Sequence, residues 1–319
     1  MEGAGGIWLC VTWPLPLPLN FRILVQQTPT LLVTGGNGQL GRCFQNLASA
    51  YPLWRFLFTD SAQLDVTKRR DVFAFFEKHR PTWVLDGAAY TAVDKAENEP
   101  DRARAVNFSG AKIIAEASAR LGIPTIHIST DYVYHGRQNT PLREEAPVSP
   151  KSVYARTKLA GDRAVLKYNP AFGMVIRTSW LYAPHGHNFA RTMLRLGAER
   201  PELNVVFDQV GTPTYAPFLA KAVLDIIEQV ENGHATPTAL AGIWHYSNEG
   251  VCSWYDFAQA IVDLAGLPCR VNAIETKDFP LPAPRPPFSV LNKSKIKAAF
   301  GLDIPHWRRG VERFLLENG

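Results

Sequence analysis

Thr34-Gly35-Gly36-Asn37-Gly38-Gln39-Leu40-Gly41 follows directly on an apolar run, Leu31–Thr34, and opens a stretch of helical period, Leu40–Ala50. Glycines at 35, 38 and 41 suit a strand that turns tightly into a helix, lets its backbone approach a pyrophosphate, and packs that helix closely on the strand. The helix N-terminus behind such a turn offers free N–H groups and the positive end of its dipole to phosphate. A glycine triad alone occurs in many turns; the strand before it and the helix after it give it weight here.

Around this turn, β-branched and aromatic runs alternate with helical stretches. Strands are predicted at Leu31–Thr34, Arg55–Thr59, Thr82–Leu85, Thr125–Ser129 and Met174–Thr178, with helices at Leu40–Ala50, Lys68–His79, Asp101–Leu121 and Ser152–Tyr168. Apolar strands separated by helices are the pattern of βαβ units. The chain reads as an α/β protein with a Rossmann-like, doubly wound parallel sheet, whose ligands sit at the carboxyl ends of the strands. Beyond Trp180 the elements are mixed: helices at Asn188–Gly197, Phe218–Glu231 and Ser253–Leu264, and short strands near Ile243–Tyr246 and Val271–Ile274. The five prolines of Asp278–Pro287 make that stretch a loop. The expected organisation is an N-terminal extension of unknown role (1–29), a dinucleotide-binding domain (30–183), and a smaller α+β substrate-binding lobe (184–319), some of whose segments return to the first domain.

Composition sets the limits. The 319 residues, 46% of them apolar and 20% charged, allow a large core and exclude a disordered or staple-dependent chain. Cys10, Cys43, Cys252 and Cys269 lack the short paired spacing of a zinc site or redox couple, so a reducing compartment is the default. A net charge of +5 weakly favours acidic ligands. The apolar run Ile7–Leu19 is too short and too rich in proline to span a bilayer, and Glu2 is the one charge before it, against the pattern of a secretory signal. The reading is a soluble, cytoplasmic protein with neither a membrane nor a nucleic-acid partner. Because every motif begins after the extension, deletion through Gln27 is expected to leave activity intact; lost folding would instead assign Phe21–Val25 to the sheet.

Three further features fall in the chain order that one site needs. Asp60 closes the second strand about 20 residues beyond the glycine turn, where an acid bonds a ribose 2′-OH and favours NAD over NADP. An Asp at a strand end equally suits a turn, and Arg69 and Arg70 leave a 2′-phosphate open. Thr130 ends the fourth strand in Ser129-Thr130-Asp131-Tyr132-Val133, either to bond a substrate oxygen or to cap the turn. Tyr154 and Lys158 stand one helical turn apart, where the ammonium lowers the tyrosine pKa and readies it to pass a proton during ketone reduction.

These residues resemble the extended short-chain dehydrogenase/reductase superfamily and, within it, the dTDP-4-dehydrorhamnose reductases. The likeness extends from about Leu31 to the C-terminus. It is carried further by Ala88-Ala89-Tyr90-Thr91-Ala92-Val93-Asp94-Lys95-Ala96-Glu97, Arg177-Thr178-Ser179-Trp180, Asn188-Phe189, Asp208-Gln209-Val210-Gly211-Thr212-Pro213-Thr214 and Arg285-Pro286. The resemblance implies NADH or NADPH as cofactor. Gly35, Asn37, Gly38, Gln39, Leu40 and Gly41 would line the pyrophosphate, and Asp60, Asp65, Val66, Ala88, Ala89 and Tyr90 would flank the adenosine and nicotinamide. Thr130, Tyr154 and Lys158 would be catalytic, with Tyr154 and Lys158 also touching the cofactor. The substrate is a dTDP-linked 4-keto sugar, met by Thr130, Asp131 and Trp180, with Asn188 and Arg285 candidates for its diphosphate. The plainer alternatives are a core aromatic at a strand end for Trp180 and a solvated arginine for Arg285, although a guanidinium in a proline-stiffened loop suits phosphate.

Some relatives bind magnesium near a dimer interface; no residue here matches those positions, so no metal is assigned, and a homodimer stays open. The chain departs from the family in Asp86-Gly87 where Asn-Ala is expected, in Ala155 for a glycine, and in Asp162 for a glutamate. A buried Asp86 needs protonation or a partner, and stands to weaken the positioning of a water or lysine that an Asn serves. The implied activity is reduction of dTDP-4-dehydro-β-L-rhamnose to dTDP-β-L-rhamnose. Rivals are a nucleotide-sugar epimerase or dehydratase on the same fold, and a non-catalytic NADP-binding regulatory subunit.

Overall fold

The computed structural model describes residues 28–136 and 138–318. The expectations for residues 1–27 fall outside them. The first part of the chain forms β1 (Thr30–Thr34), α1 (Gln39–Leu47), β2 (Arg55–Thr59), α2 (Arg69–His79) and β3 (Trp83–Asp86). It continues through α3 (Val93–Ala96), α4 (Pro100–Arg104), a π-helical stretch (Ala105–Gly110), α5 (Ala111–Leu121), β4 (Thr125–Thr130), α6 (Val153–Tyr168) and β5 (Gly173–Thr178). The second part holds β6 (Leu181–Tyr182), α7 (Phe189–Glu199), β7 (Glu202–Val206), β8 (Val210–Gly211), β9 (Thr214–Tyr215) and α8 (Ala216–Glu231). Then come β10 (Gly242–His245), β11 (Cys252–Ser253), α9 (Trp254–Leu264), β12 (Arg270–Ile274), α10 (Ser294–Phe300) and α11 (Trp307–Leu316).

Six strands form one sheet in the order β10-β5-β4-β3-β1-β2, and every pairing in it is parallel. The chain leaves β1 toward β2 and then returns to β1's other side as β3, so the winding reverses between β1 and β3. That reversal opens a crevice at the carboxyl ends of the strands. All residues of β1 and of β5 are buried, as strands covered by helices on both faces must be. On one face Leu31, Val33, Ile126 and Ile176 pack with Phe44 of α1 and Val223 and Ile227 of α8. On the other, Leu32 and Val84 pack with Val72 and Phe76 of α2 and Ile114 of α5.

A second core gathers Tyr182, Met193, Leu203, Phe257, Ile261, Trp307, Val311 and Phe314 from β6, α7, β7, α9 and α11. It is edged by the parallel pair β7 and β12. Several predicted boundaries move by one to three residues. The helix expected at Asp101–Leu121 starts at Pro100 and widens to π geometry at Ala105–Gly110, and the helix expected from Phe218 starts at Ala216. Strand β7, the two-residue strands, α10 and α11 were not predicted; each is too short, or too dependent on a distant partner, to leave a periodic signal. The proline-rich segment is irregular apart from a 3-10 turn at Thr276–Asp278, and Phe288 bridges to Val210 at its end.

The glycine turn is as tight as its spacing implies. Gly35 has φ +68°, and a Cβ on Gly41 would stand 2.5 Å from the Gly35 carbonyl oxygen. Helix α1 therefore lies on the turn with no room for a side chain. Gly41→Ala is expected to cost about 1–3 kcal/mol, as overpacking against backbone does. Denaturant unfolding checks this, and an unchanged midpoint would mean that the turn has slack.

Candidate active site

A cavity of about 840 Å³ lies over the carboxyl ends of β1, β3, β4 and β5 and runs to the second core. It is lined by Gly35, Asn37, Gly38, Gln39, Leu40, Gly41, Asp60, Asp65, Val66, Ala88, Ala89, Tyr90, Thr130, Asp131, Tyr154, Lys158, Trp180 and Asn188. Every residue predicted for the site is thus on one wall or another, except Arg285.

At the α1 end, Asn37 Nδ2 donates to Asp60 Oδ2 at 2.7 Å, and Asp60 Oδ1 accepts from the backbone N–H groups of Ala62 and Gln63. Asp60 therefore both caps its turn and faces the cavity. Arg69 pairs with Glu116 instead, and neither it nor Arg70 lines the cavity. Beyond β3, the backbone N–H of Ala88 donates to the Thr34 hydroxyl at 3.1 Å. Tyr90 is held by Asn107, which accepts from its N–H at 2.8 Å and donates to its carbonyl at 3.1 Å. Asn107 sits in the π-helical stretch and also bonds Thr157 of α6. Its role was not read from the sequence, since nothing local marks a widened helical turn.

Helix α6 starts with Ser152, whose hydroxyl accepts from the Ala155 N–H, and its first two turns carry Tyr154 and Lys158 to the end of β4. The Thr130 hydroxyl donates to Asp131 Oδ1 and accepts from the Tyr132 N–H, both at 3.2 Å, so it caps its turn while facing the cavity. The Tyr132 ring meets the Tyr154 ring edge-on at 5.7 Å. Burial pushes the Tyr154 phenol up to about 12, with Thr130 beside it pulling the other way. The Tyr-to-Lys spacing predicts that the ammonium lowers this group; burial raises it instead, and Thr130 is what opposes the rise.

Lys158 is buried and donates to the Ile128 carbonyl at 2.7 Å, with His127 Nε2 at 3.2 Å. An ammonium has three donors, so one remains for a ligand in the cavity. Burial lowers its pKa, and Asp162 and Asp86 oppose that. Asp86, expected to weaken the site, is instead partnered: Thr34 donates to Oδ1 at 3.0 Å and His127 Nδ1 lies 2.7 Å from Oδ2. Burial pushes its carboxyl up, but His127, Lys158 and Thr34 together hold it below its ordinary value.

Gly35, Gly38 and Gly41 at the start of α1 present backbone to the cavity, and Lys158 offers it a free donor; this donor set fits a dinucleotide. Residues 29–318 match the family described as the RmlD substrate binding domain. The chain belongs to that family. It is 39% identical over 289 residues to a dTDP-4-dehydrorhamnose reductase of Aggregatibacter actinomycetemcomitans, covering 88% of this chain and 97% of the relative. A solved dTDP-4-dehydrorhamnose reductase of Clostridium acetobutylicum superposes with a TM-score of 0.84 at 39% identity, covering 90% of this chain and 98% of the other. One from Bacillus anthracis, solved with NADP, gives a TM-score of 0.84 at 36% identity, covering 91% and 99%.

The sugar side of the cavity rests on Trp180. It is not a core aromatic: it is half-buried on the wall, held at φ +48°, a region that favours glycine. Its ring stacks on Trp254 with centroids 3.7 Å apart, and a Cβ on Gly211 would lie 2.7 Å from the same ring. Trp254 and Phe257 line the cavity too. Their position within the predicted helix Ser253–Leu264 was plain, but which face met the cavity was not. Asn188 caps α7 by accepting from the Arg191 N–H, and its amide donates to Gln39 Oε1 at 2.9 Å, tying the glycine turn to the second core. Arg285 is a correction. Its guanidinium makes two bonds to Asp94, at 2.6 and 2.7 Å, and it is not on the cavity wall. The carboxylate that meets it lies 191 residues earlier, a pairing that sequence spacing does not reveal.

Burial raises the Asp131 carboxyl to about 7, and among the described residues its Oδ2 has no hydrogen-bond partner. A raised carboxyl contributes stability that is complete below the ordinary value of 3.8 and is lost as pH rises through about 7. Asp131→Asn, which cannot ionise, should therefore gain more melting temperature over the parent at pH 8 than at pH 5; equal differences at both would refute this. Gly211→Ala should push the Trp180 ring into the cavity and raise the KM for a sugar nucleotide several-fold, with the KM for the cofactor unchanged.

Proposed function

We propose that this chain reduces dTDP-4-dehydro-β-L-rhamnose to dTDP-β-L-rhamnose with NADH or NADPH. The observation that carries the reading is the convergence of Thr130, Tyr154 and Lys158 on one cavity, with the glycine turn at one end and Trp180 at the other. A reduced nicotinamide, when bound, supplies hydride to C4 of the sugar.

The chain's own residues do the rest. The backbone of Gly35 to Gly41 and the N-terminus of α1 receive the cofactor's diphosphate. Asp60 meets the adenosine ribose, where an acid favours NADH over NADPH. Lys158 gives its remaining donor to the other ribose. Thr130 turns its one hydroxyl hydrogen from Asp131 Oδ1 to the sugar's C4 oxygen and holds that oxygen beside the Tyr154 hydroxyl, which delivers the proton as the oxygen gains charge. Asp131 and Trp180 hold the sugar, one by hydrogen bonding and the other by its ring face. The dehydratase reading asks for a further acid or base after Asp131, where this chain has Tyr132.

The test is consumption of NADH or NADPH when the purified protein meets the 4-keto sugar nucleotide, made in situ by a dehydratase and an epimerase. Tyr154→Phe should lower kcat by about 10²–10⁴-fold, the range for loss of a general acid, and leave the fold intact. No consumption of either nucleotide by the parent would sink the reductase reading and favour a non-catalytic cofactor-binding role.

A further inference from the structure

We propose that Asp86 and His127 are positioning residues for Lys158: the Asp86 carboxylate sets the tautomer of His127, and His127 then takes one ammonium proton as a hydrogen bond and leaves another aimed at the cavity. The inference rests on the functional reading above for its kinetic consequence, but not for its geometry.

Asp86 of β3, His127 of β4 and Lys158 of α6 form an unbroken buried row. His127 Nδ1 is 2.7 Å from Asp86 Oδ2, and His127 Nε2 is 3.2 Å from Lys158 Nζ. An ammonium can only donate, so Nε2 must be the lone-pair nitrogen. An ionised carboxylate can only accept, so Nδ1 must carry the hydrogen. Two neighbours on opposite sides of the ring thus demand the same neutral tautomer. The second Asp86 oxygen is taken by Thr34, which prevents the carboxylate from turning away.

The charges around Lys158 agree. Asp86 faces it from β3, His127 from β4, and Asp162 and Tyr154 from its own helix; Asp131 follows β4, and Arg177 of β5 bonds Asp162 at 3.0 Å. With His127 neutral, the carboxylates of Asp86 and Asp162 balance the cations Lys158 and Arg177. Asp162 Oδ1 also faces Nε2, but at 3.9 Å it is beyond hydrogen-bond reach, so a second proton on His127 would set a donor against the nearer ammonium at 3.2 Å and leave an unbalanced buried charge. The Asn that the family resemblance leads one to expect at position 86 supplies an acceptor without charge, and its amide can present either face to the ring. Asp86 removes that ambiguity.

The experiment has two arms. In the ligand-free protein, histidine-selective ¹⁵N NMR should show one imidazole, absent from the spectrum of His127→Gln, with its hydrogen on Nδ1 and a lone pair on Nε2. Kinetically, Asp86→Asn and His127→Gln should each lose about ten- to a hundredfold in kcat with KM for both substrates little changed. In Asp86→Asn the alkaline limb of kcat/KM should also move down by about one pH unit, because the Asp86 charge is one of the two that hold the Lys158 pKa up against burial. An Nε2–H tautomer or an imidazolium at His127 would overturn the proposal. So would a kcat loss with the limb unmoved, the mark of a merely structural role, or retention of parental kcat in both variants. An inactive parent defeats the reductase reading instead, and the NMR arm still decides the geometry.

Discussion

A buried ammonium governs the layout of this protein. Lys158 is 1% exposed, and an unpaired charge taken that far from water costs more than the few kcal/mol that separate a folded domain from its unfolded chain. The fold meets the cost by converging three strands and a helix on it: Asp86 from β3, His127 from β4, Asp162 from α6, and Arg177 from β5 to balance Asp162. Each of these groups is itself buried, so none can leave without stranding another. The adjacency of β3, β4 and β5 in the sheet is therefore an electrostatic requirement of the site as well as a topological habit of βαβ units.

Around that centre the two cores divide the work. The sheet core fixes the glycine turn, the strand ends and the start of α6, all through short backbone-dominated contacts. The second core contributes aromatic surface, with Trp180, Trp254 and Phe257 presented to the cavity and Tyr182 and Phe314 behind them. Asn188 joins the two by a single amide that caps α7 and bonds Gln39 at the mouth of the glycine turn. A ligand lying from α1 to Trp180 touches both cores, so its length is matched to a distance that neither core sets alone.

How much of this was legible varies with the range of the interaction. Gly35, Gly38 and Gly41, or Tyr154 and Lys158, act through spacing within one turn or one helical repeat, and their places in the site followed from backbone geometry. The strand list was readable because strands buried on both faces must be apolar throughout. Asn107 escaped notice because the π-helical widening that aims it at Tyr90 leaves no periodic trace. Arg285 was assigned to the ligand on chemistry that is sound for an arginine in a stiff loop, yet Asp94 holds it. Asp86 looked like a liability in isolation and becomes an asset only beside His127.

By itself, the sequence determined the fold class, the position of the glycine turn, and the one-turn spacing of Tyr154 and Lys158 on a single helix, since these depend on residue type at short range. The tertiary structure alone decided the surroundings of these groups: which buried carboxylate is partnered, that burial raises the Tyr154 phenol, and that Trp180 packs against Trp254 and Gly211. The reason is physical. A pKa or a ring's orientation is set by whatever lies within a few ångströms, and in this fold those neighbours arrive from strands and helices tens of residues apart, as with Asp86 and His127, 41 residues from each other, and His127 and Lys158, separated by 31.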